Sequence, residues 1–214
     1  MTVLNLMLID DHLLVRMGFR SLLTTLHDVA VVAEASCGEE ALDLYKLHQP
    51  DIVISEIDFP GMGGLETMKR ILTKNPSAKI IALTAHEEII YIKRTLDLGV
   101  LGYLSKKSAH PILHDAIKAV AQKKRFIDPD LSQKLLIDEL DGNIDPLKNL
   151  SSREFGVFLQ LAKGLALPKV ADRLNLSQAT IATHVASIKQ KLQVNNNSEL
   201  LLIARRLGLT PSNE

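Results

Sequence analysis

A chain of 214 residues with 46% hydrophobic side chains and no tryptophan is long enough for one large or two small aliphatic cores. Its single cysteine, Cys37, excludes an internal disulfide and fits a reducing setting; no apolar run nears the ~20 residues of a membrane span, and the amino terminus lacks the form of a signal peptide, so the expectation is a cytoplasmic protein with no membrane partner. The net charge of zero hides an asymmetry: Lys+Arg against Asp+Glu run 12 to 15 over residues 1–122, 4 to 6 over 123–147 and 9 to 4 over 148–214, which places a basic piece of net +5 behind an acidic body and points to nucleic acid at that end.

The first 122 residues alternate strand and helix signals five times. Val3 to Ile9 is short and apolar, and Asp10 and Asp11 end it at the helix pattern Leu13, Leu14, Met17. Val29 to Ala35 predicts a second strand. Ser36 with Glu39 predicts a capping box for a helix running to about His48. Ile52, Val53 and Ile54 are β-branched and too few for a helix, so they predict a strand buried on both faces, with Glu56 at its carboxyl end and a glycine-rich loop behind it. Leu65 to Lys74 predicts a helix stopped by Asn75-Pro76, Ile80 to Leu83 a fourth strand, Glu87 to Leu98 a helix closed by Gly99, and Val100 to Leu104 a fifth strand. Ser108 is expected to cap a last helix whose Ile112, Ala116, Ile117 and Val120 recur at helical spacing. Five such units predict a five-stranded parallel sheet of flavodoxin-like α/β type with helices on both faces.

In such a sheet, ligands and chemistry gather at the carboxyl ends of the strands. Asp10 and Asp11, Glu56, Thr84 and Lys106 all fall there. Three converging carboxylates repel one another unless a cation shares them, and oxygen ligands suit Mg²⁺. With the Lys106 charge and the Thr84 hydroxyl, the crevice has the parts that hold a phosphoryl group by its oxygens. His110 and His114, spaced as zinc ligands can be, lack a third ligand and read as surface residues; Gly61, Gly63 and Gly64 read as turn glycines rather than a nucleotide fingerprint.

On the Asp10-Asp11 pair, Pro60-Gly61, Thr84-Ala85, and Tyr103 three residues before Lys106, the segment 1–122 resembles a response-regulator receiver domain. In that family the residue four before the proline is an aspartate that takes phosphate from a sensor histidine kinase, and the residue two beyond it lends a backbone carbonyl to the metal. Here these positions are Glu56 and Asp58. The resemblance makes Asp10, Asp11, Glu56 and Asp58 the metal set and Thr84, Tyr103 and Lys106 the switch. Glutamate carries its carboxylate ~1.5 Å further than aspartate, and a misplacement of that order costs ~100-fold in a geometry-dependent reaction.

Residues 123–147 predict a linker with a short amphipathic helix that opens at Asp128-Pro129, carries Leu131, Leu135, Leu136 and Leu140, and stops near Asp141-Gly142-Asn143. Residues 148–214 predict an all-α domain of four helices. Ser151 with Glu154 forms a capping box, Pro168 opens a short helix, Asn175-Leu176-Ser177 makes a turn, and Ser177 caps a helix from Gln178 to Leu192. Ile181, Val185, Ile188 and Leu192 form that helix's buried stripe; Gln178, Ala182, Thr183, Ala186 and Gln190 form a smooth polar face of the kind that enters a major groove.

The run LSSRE at Leu150 to Glu154, Gly164, and PKVADRLNLSQATIATHVASIKQKL from Pro168 to Leu192 is similar to the LuxR-type helix-turn-helix, and the whole chain to NarL/FixJ-type response regulators. Two departures stand out: Ala182 lies where relatives often carry lysine, and Asn197 near a common arginine. Base readout is therefore expected from Thr183 and its small neighbours on thymine methyls, with Lys169, Thr180, His184, Lys189 and Lys191 on phosphates. The expectation is a dimeric, DNA-binding transcriptional regulator, not an enzyme, with weak Mg²⁺ and partial activity without phosphate. Two alternatives stay open: a module that sequesters a partner regulator, and a phosphorylatable regulator in which Glu56 is an engineered replacement of aspartate.

Overall fold

The computed structural model describes residues 3–143 and 145–210. The chain divides into two compact units between Gly142 and Asn143.

In the first unit, β1 (Leu4–Ile9), β2 (Val29–Ala35), β3 (Ile52–Ser55), β4 (Ile80–Thr84) and β5 (Gly102–Ser105) pair in parallel in the order β2-β1-β3-β4-β5. All four residues of β3 are buried, as expected of a strand covered on both faces. The helices α1 (Leu13–Thr24), α2 (Gly38–His48), α3 (Gly64–Lys74), α4 (Ile89–Asp97) and α5 (Ala109–Ala121) connect them. One core layer joins Leu6, Leu8, Ile52, Ile54, Ile81 and Leu83 of the sheet to Leu113, Ala116, Ile117 and Val120 of α5. The apolar residues that marked α1 do not face this core: Leu13, Leu14 and Met17 are exposed, and Leu23 carries the burial.

The sheet has a sixth strand, β6 (Phe126–Ile127), paired in parallel with β5. It leads into α6 (Pro129–Leu140), whose start Asp128 caps by accepting the Asp130 N–H. Only Leu131 of the expected apolar face is buried; Leu136, Ile137 and Leu140 are exposed. The helix is fastened to the unit by Lys93 on Asp138, by Lys134 on Glu87 (3.3 Å), and by Ser108 on the buried Asp128.

Three local expectations are corrected. Glu40, not Glu39, reaches back to Ser36, accepting its N–H at 2.7 Å and its hydroxyl at 2.9 Å, while Cys37 occupies the cap position of α2. The Ser108 hydroxyl leaves the α5 terminus uncapped and turns to Asp128. α4 starts at Ile89 because the Glu87 carboxylate is drawn to the Ser105 hydroxyl (2.8 Å) and Glu88 takes the cap position.

The second unit packs α7 (Ser152–Ala162), α8 (Leu167–Arg173), α9 (Gln178–Leu192) and α10 (Asn197–Arg206) around Phe155, Phe158, Ile181, Val185, Ile188 and Leu200. Asn175 turns the chain between α8 and α9 in the left-handed region (φ 52°), which asparagine tolerates better than most side chains. Ser177 then caps α9 by accepting the Thr180 N–H at 3.1 Å.

Candidate functional site

The parallel strands deliver Asp10, Glu56, Thr84 and Lys106 to one crevice, all but the lysine buried. Lys106 spans it. Its Nζ lies 2.6 Å from Glu56 Oε2 and 2.5 Å from Asp10 Oδ2. Burial alone would lower the Lys106 pKa, but Glu56 and Asp10 outweigh it and raise the value, so the charge is secured. The other Glu56 oxygen, Oε1, accepts the Ile57 N–H at 2.6 Å and more distantly the Asp58 N–H at 3.4 Å. Gly64 makes this close fold possible: a Cβ there would meet the Glu56 carbonyl oxygen at 2.1 Å.

Of the expected metal set Asp10, Asp11, Glu56 and Asp58, the two adjacent aspartates cluster with His12. Asp10, Asp11 and His12 offer ligand atoms within 4.8 Å of one another, with Asp11 Oδ1 2.9 Å from His12 Nδ1, and the carboxylate oxygens suit a hard cation. Glu56 lies outside this cluster; its Oε2 pairs with Lys106 and its Oε1 accepts the Ile57 N–H. The Asp58 side chain, which the expected carbonyl role leaves free of the metal, faces His86 Nε2 at 3.8 Å.

Thr84 does not reach Glu56; its hydroxyl oxygen accepts the His86 N–H at 3.1 Å. Tyr103 is fully buried, with its hydroxyl donating to the His86 carbonyl at 2.8 Å. Burial and the carboxylates Glu88, Glu56 and Glu87 push the Tyr103 phenol pKa well up, so it remains a donor. His86 itself stacks on Tyr91 (ring centroids 4.2 Å apart) between Asp58 and Glu88. Burial pulls its pKa down, but those two carboxylates prevail and raise it to about 9.

In the second unit, α9 presents Gln178, Thr180, Ala182, Thr183, Ala186 and Gln190 exposed, with Lys169 of α8 also exposed and His184 and Lys189 half-buried. Thr183 turns its hydroxyl to the Ala179 carbonyl (3.0 Å), the usual back-bond of a mid-helix threonine. Lys191, expected on phosphate, is exposed, and its Nζ lies 2.6 Å from Glu154 Oε2.

The family model of the response regulator receiver domain matches residues 6–118, and that of the bacterial regulatory proteins of the luxR family matches 148–208. The chain is a response regulator with a LuxR-type carboxyl-terminal domain. This regulator is 34% identical to the response regulator UvrY of Escherichia coli K12, over 97% of the chain and 96% of UvrY, and 32% identical to GacA of Pseudomonas aeruginosa, over 97% and 98%. Among solved structures, RcsB of Salmonella enterica serovar Typhimurium, bound to promoter rprA in the presence of the phosphomimetic BeF3−, matches with a TM-score of 0.69 at 28% identity, covering 97% of this chain and 99% of that one.

Sequence reasoning missed two residues of the regulator's site. Arg16 donates to the Asp10 carbonyl (2.5 Å) and to Glu34 (3.2 Å) at the crevice wall; Glu34, next to last in β2, was the available signal. His86 was passed over because Asp58 reaches it from the loop after β3, far along the chain from Glu88 and Tyr91 beside it.

Proposed function

We propose that this response regulator binds promoter DNA as a dimer through α9, and that Glu56 holds its receiver partly active without phosphorylation. The observation that carries the second half is the Glu56–Lys106 ion pair. In the receiver resemblance a phosphoryl group pairs with the lysine, draws in the threonine and lets the tyrosine turn inward. Glu56 makes the lysine contact, Thr84 stays with His86, and Tyr103 lies inside. The carboxylate thus reproduces one of the two direct contacts.

The energetics agree with an incomplete imitation. Moving a two-state equilibrium from 1:99 to 99:1 takes ~5.5 kcal/mol, whereas one charge-assisted contact supplies ~1.5–3. An intermediate active population follows. Asp10 and Asp11 hold Mg²⁺ weakly, with water completing its shell; when bound, the ion neutralises the acidic mouth of the crevice.

The DNA half rests on the +5 balance of residues 148–214, on the small polar face of α9, and on the likeness to the promoter-bound RcsB structure. Lys169 and Lys189 address phosphates, and Thr183 with Ala182 and Ala186 reads bases. Dimerisation and duplex binding by the parent chain and its Glu56→Gln and Glu56→Asp variants, with and without a small phosphodonor, test both halves together.

A further inference from the structure

We infer that Glu154, Ser187 and Lys191 form a latch that sets the rotation of α9, making Glu154 and Lys191 positioning residues for sequence readout rather than parts of the phosphate-binding surface. This rests on the reading of α9 as the DNA helix. Glu154 is 5% exposed, and both its carboxylate oxygens accept hydrogen bonds. Its Oε1 accepts the Ser187 hydroxyl at 2.6 Å; its Oε2 accepts Lys191 Nζ at 2.6 Å and the Ser151 N–H at 2.7 Å. The same residue's N–H donates to the Ser151 hydroxyl at 3.2 Å, closing the capping box of α7. One carboxylate therefore joins the first turn of α7 to two residues one turn apart in the second half of α9.

The charge bookkeeping follows from the geometry. Burial would raise the Glu154 pKa, but Lys191, Ser187 and Ser151 together hold it at about 2, so the carboxylate is ionised at any pH at which duplex DNA is stable. Lys191 has an exposed side chain but is paired with the buried Glu154 carboxylate, so its charge is already balanced and it adds no counterion release on DNA. Lys189, on the same helix, has no acidic partner among the described residues.

Rotation matters here because the readout side chains are short. An arginine reaches a base across several bonds and adapts to a shifted axis; Ala182, Thr183 and Ala186 do not. Apolar packing of Ile181, Val185 and Ile188 buries α9 but is weakly directional. The hydrogen-bonded carboxylate supplies the direction.

The test uses the full chain, a duplex selected from a random pool by the parent chain, and a random-sequence duplex as the non-specific probe, each titrated with salt. Lys191→Met and Ser187→Ala are expected to weaken binding to the selected duplex by roughly tenfold or more while changing random-duplex binding by less than about threefold. The salt slope of Lys191→Met should equal the parent's, whereas Lys189→Ala should flatten it by about 0.9. Lys191→Arg, which keeps donor and charge, should restore selectivity. A slope for Lys191→Met flattened by about 0.9 would make that ammonium a phosphate contact and overturn the proposal. So would full selectivity in both Ser187→Ala and Lys191→Met, each checked for native helicity. A parent chain that binds neither duplex overturns the DNA reading itself, and the latch with it.

Discussion

Lys106 Nζ sits between Glu56 and Asp10, 2.6 Å from one carboxylate and 2.5 Å from the other. The lysine that the family turns toward a phosphoryl group is here engaged by the protein's own side chains, and the first prediction follows. The unphosphorylated parent should dimerise and bind DNA better than Glu56→Gln, which keeps the size and loses the charge. Glu56→Asp should be low alone and rise with a phosphodonor; the parent should not rise. Equal behaviour of parent and Glu56→Gln in sedimentation and duplex binding would mean that the carboxylate imitates nothing.

The acidic cluster divides in two: Asp10 and Asp11 offer ligand atoms beside His12, while Glu56 pairs with Lys106. Asp11→Asn should abolish the Mg²⁺ response in calorimetry or chemical shifts, and Glu56→Gln should preserve it. A response lost in Glu56→Gln but kept in Asp11→Asn would reverse the assignment.

His86 should make the first unit's stability depend on pH. Its folded pKa, about 9, lies above the ordinary 6.5, so the stabilisation is fully present below 6.5 and is lost as pH rises through 9. On the order of 1–3 kcal/mol should disappear over that window, given the partial exposure and long ion pairs of the ring. Urea unfolding of the parent and of His86→Gln at both ends measures it; parallel pH dependence in the two chains would remove His86 as the source.

α6 behaves as part of the first unit. Leu131 is 1% exposed, so Leu131→Ala should cost about 2–5 kcal/mol in that unit's unfolding transition. Ending the chain at Gln122 should destabilise the same transition. A loss below about 0.5 kcal/mol in both would mean that α6 is a passive tether.

Much of this was legible in the sequence, and the exceptions share a cause. Strand ends and helix starts are local, so Asp10, Glu56 and Lys106 fell into one crevice by topology alone, and Ser151 with Glu154 announced its capping box across three residues. The partners of a charge are not local. The Lys191 ion pair was invisible because its acid lies 37 residues away, across a helix packing. Nothing in the neighbourhood of Glu56 along the chain shows that Lys106 reaches it. β6 escaped because Phe126 and Ile127 are only two residues, and Glu40 displaced Glu39 because the chain enters α2 one residue later than a regular cap requires.

The fastening of β6 has a mechanical consequence. The Asp128 N–H bonds to the carbonyl of Tyr103 at 2.8 Å, so the buried tyrosine and the cap residue of α6 share a peptide contact. Twelve helical residues make a rod of about 18 Å, and a tilt of about 10° at its root would carry the Leu140 end by about 3 Å. The ion pair of Lys93 with Asp138 clamps the rod near its far end. A small shear at Tyr103 thus has two outlets: it is absorbed while the clamp holds, or it is magnified at the point where the chain departs for the second unit once the clamp lets go.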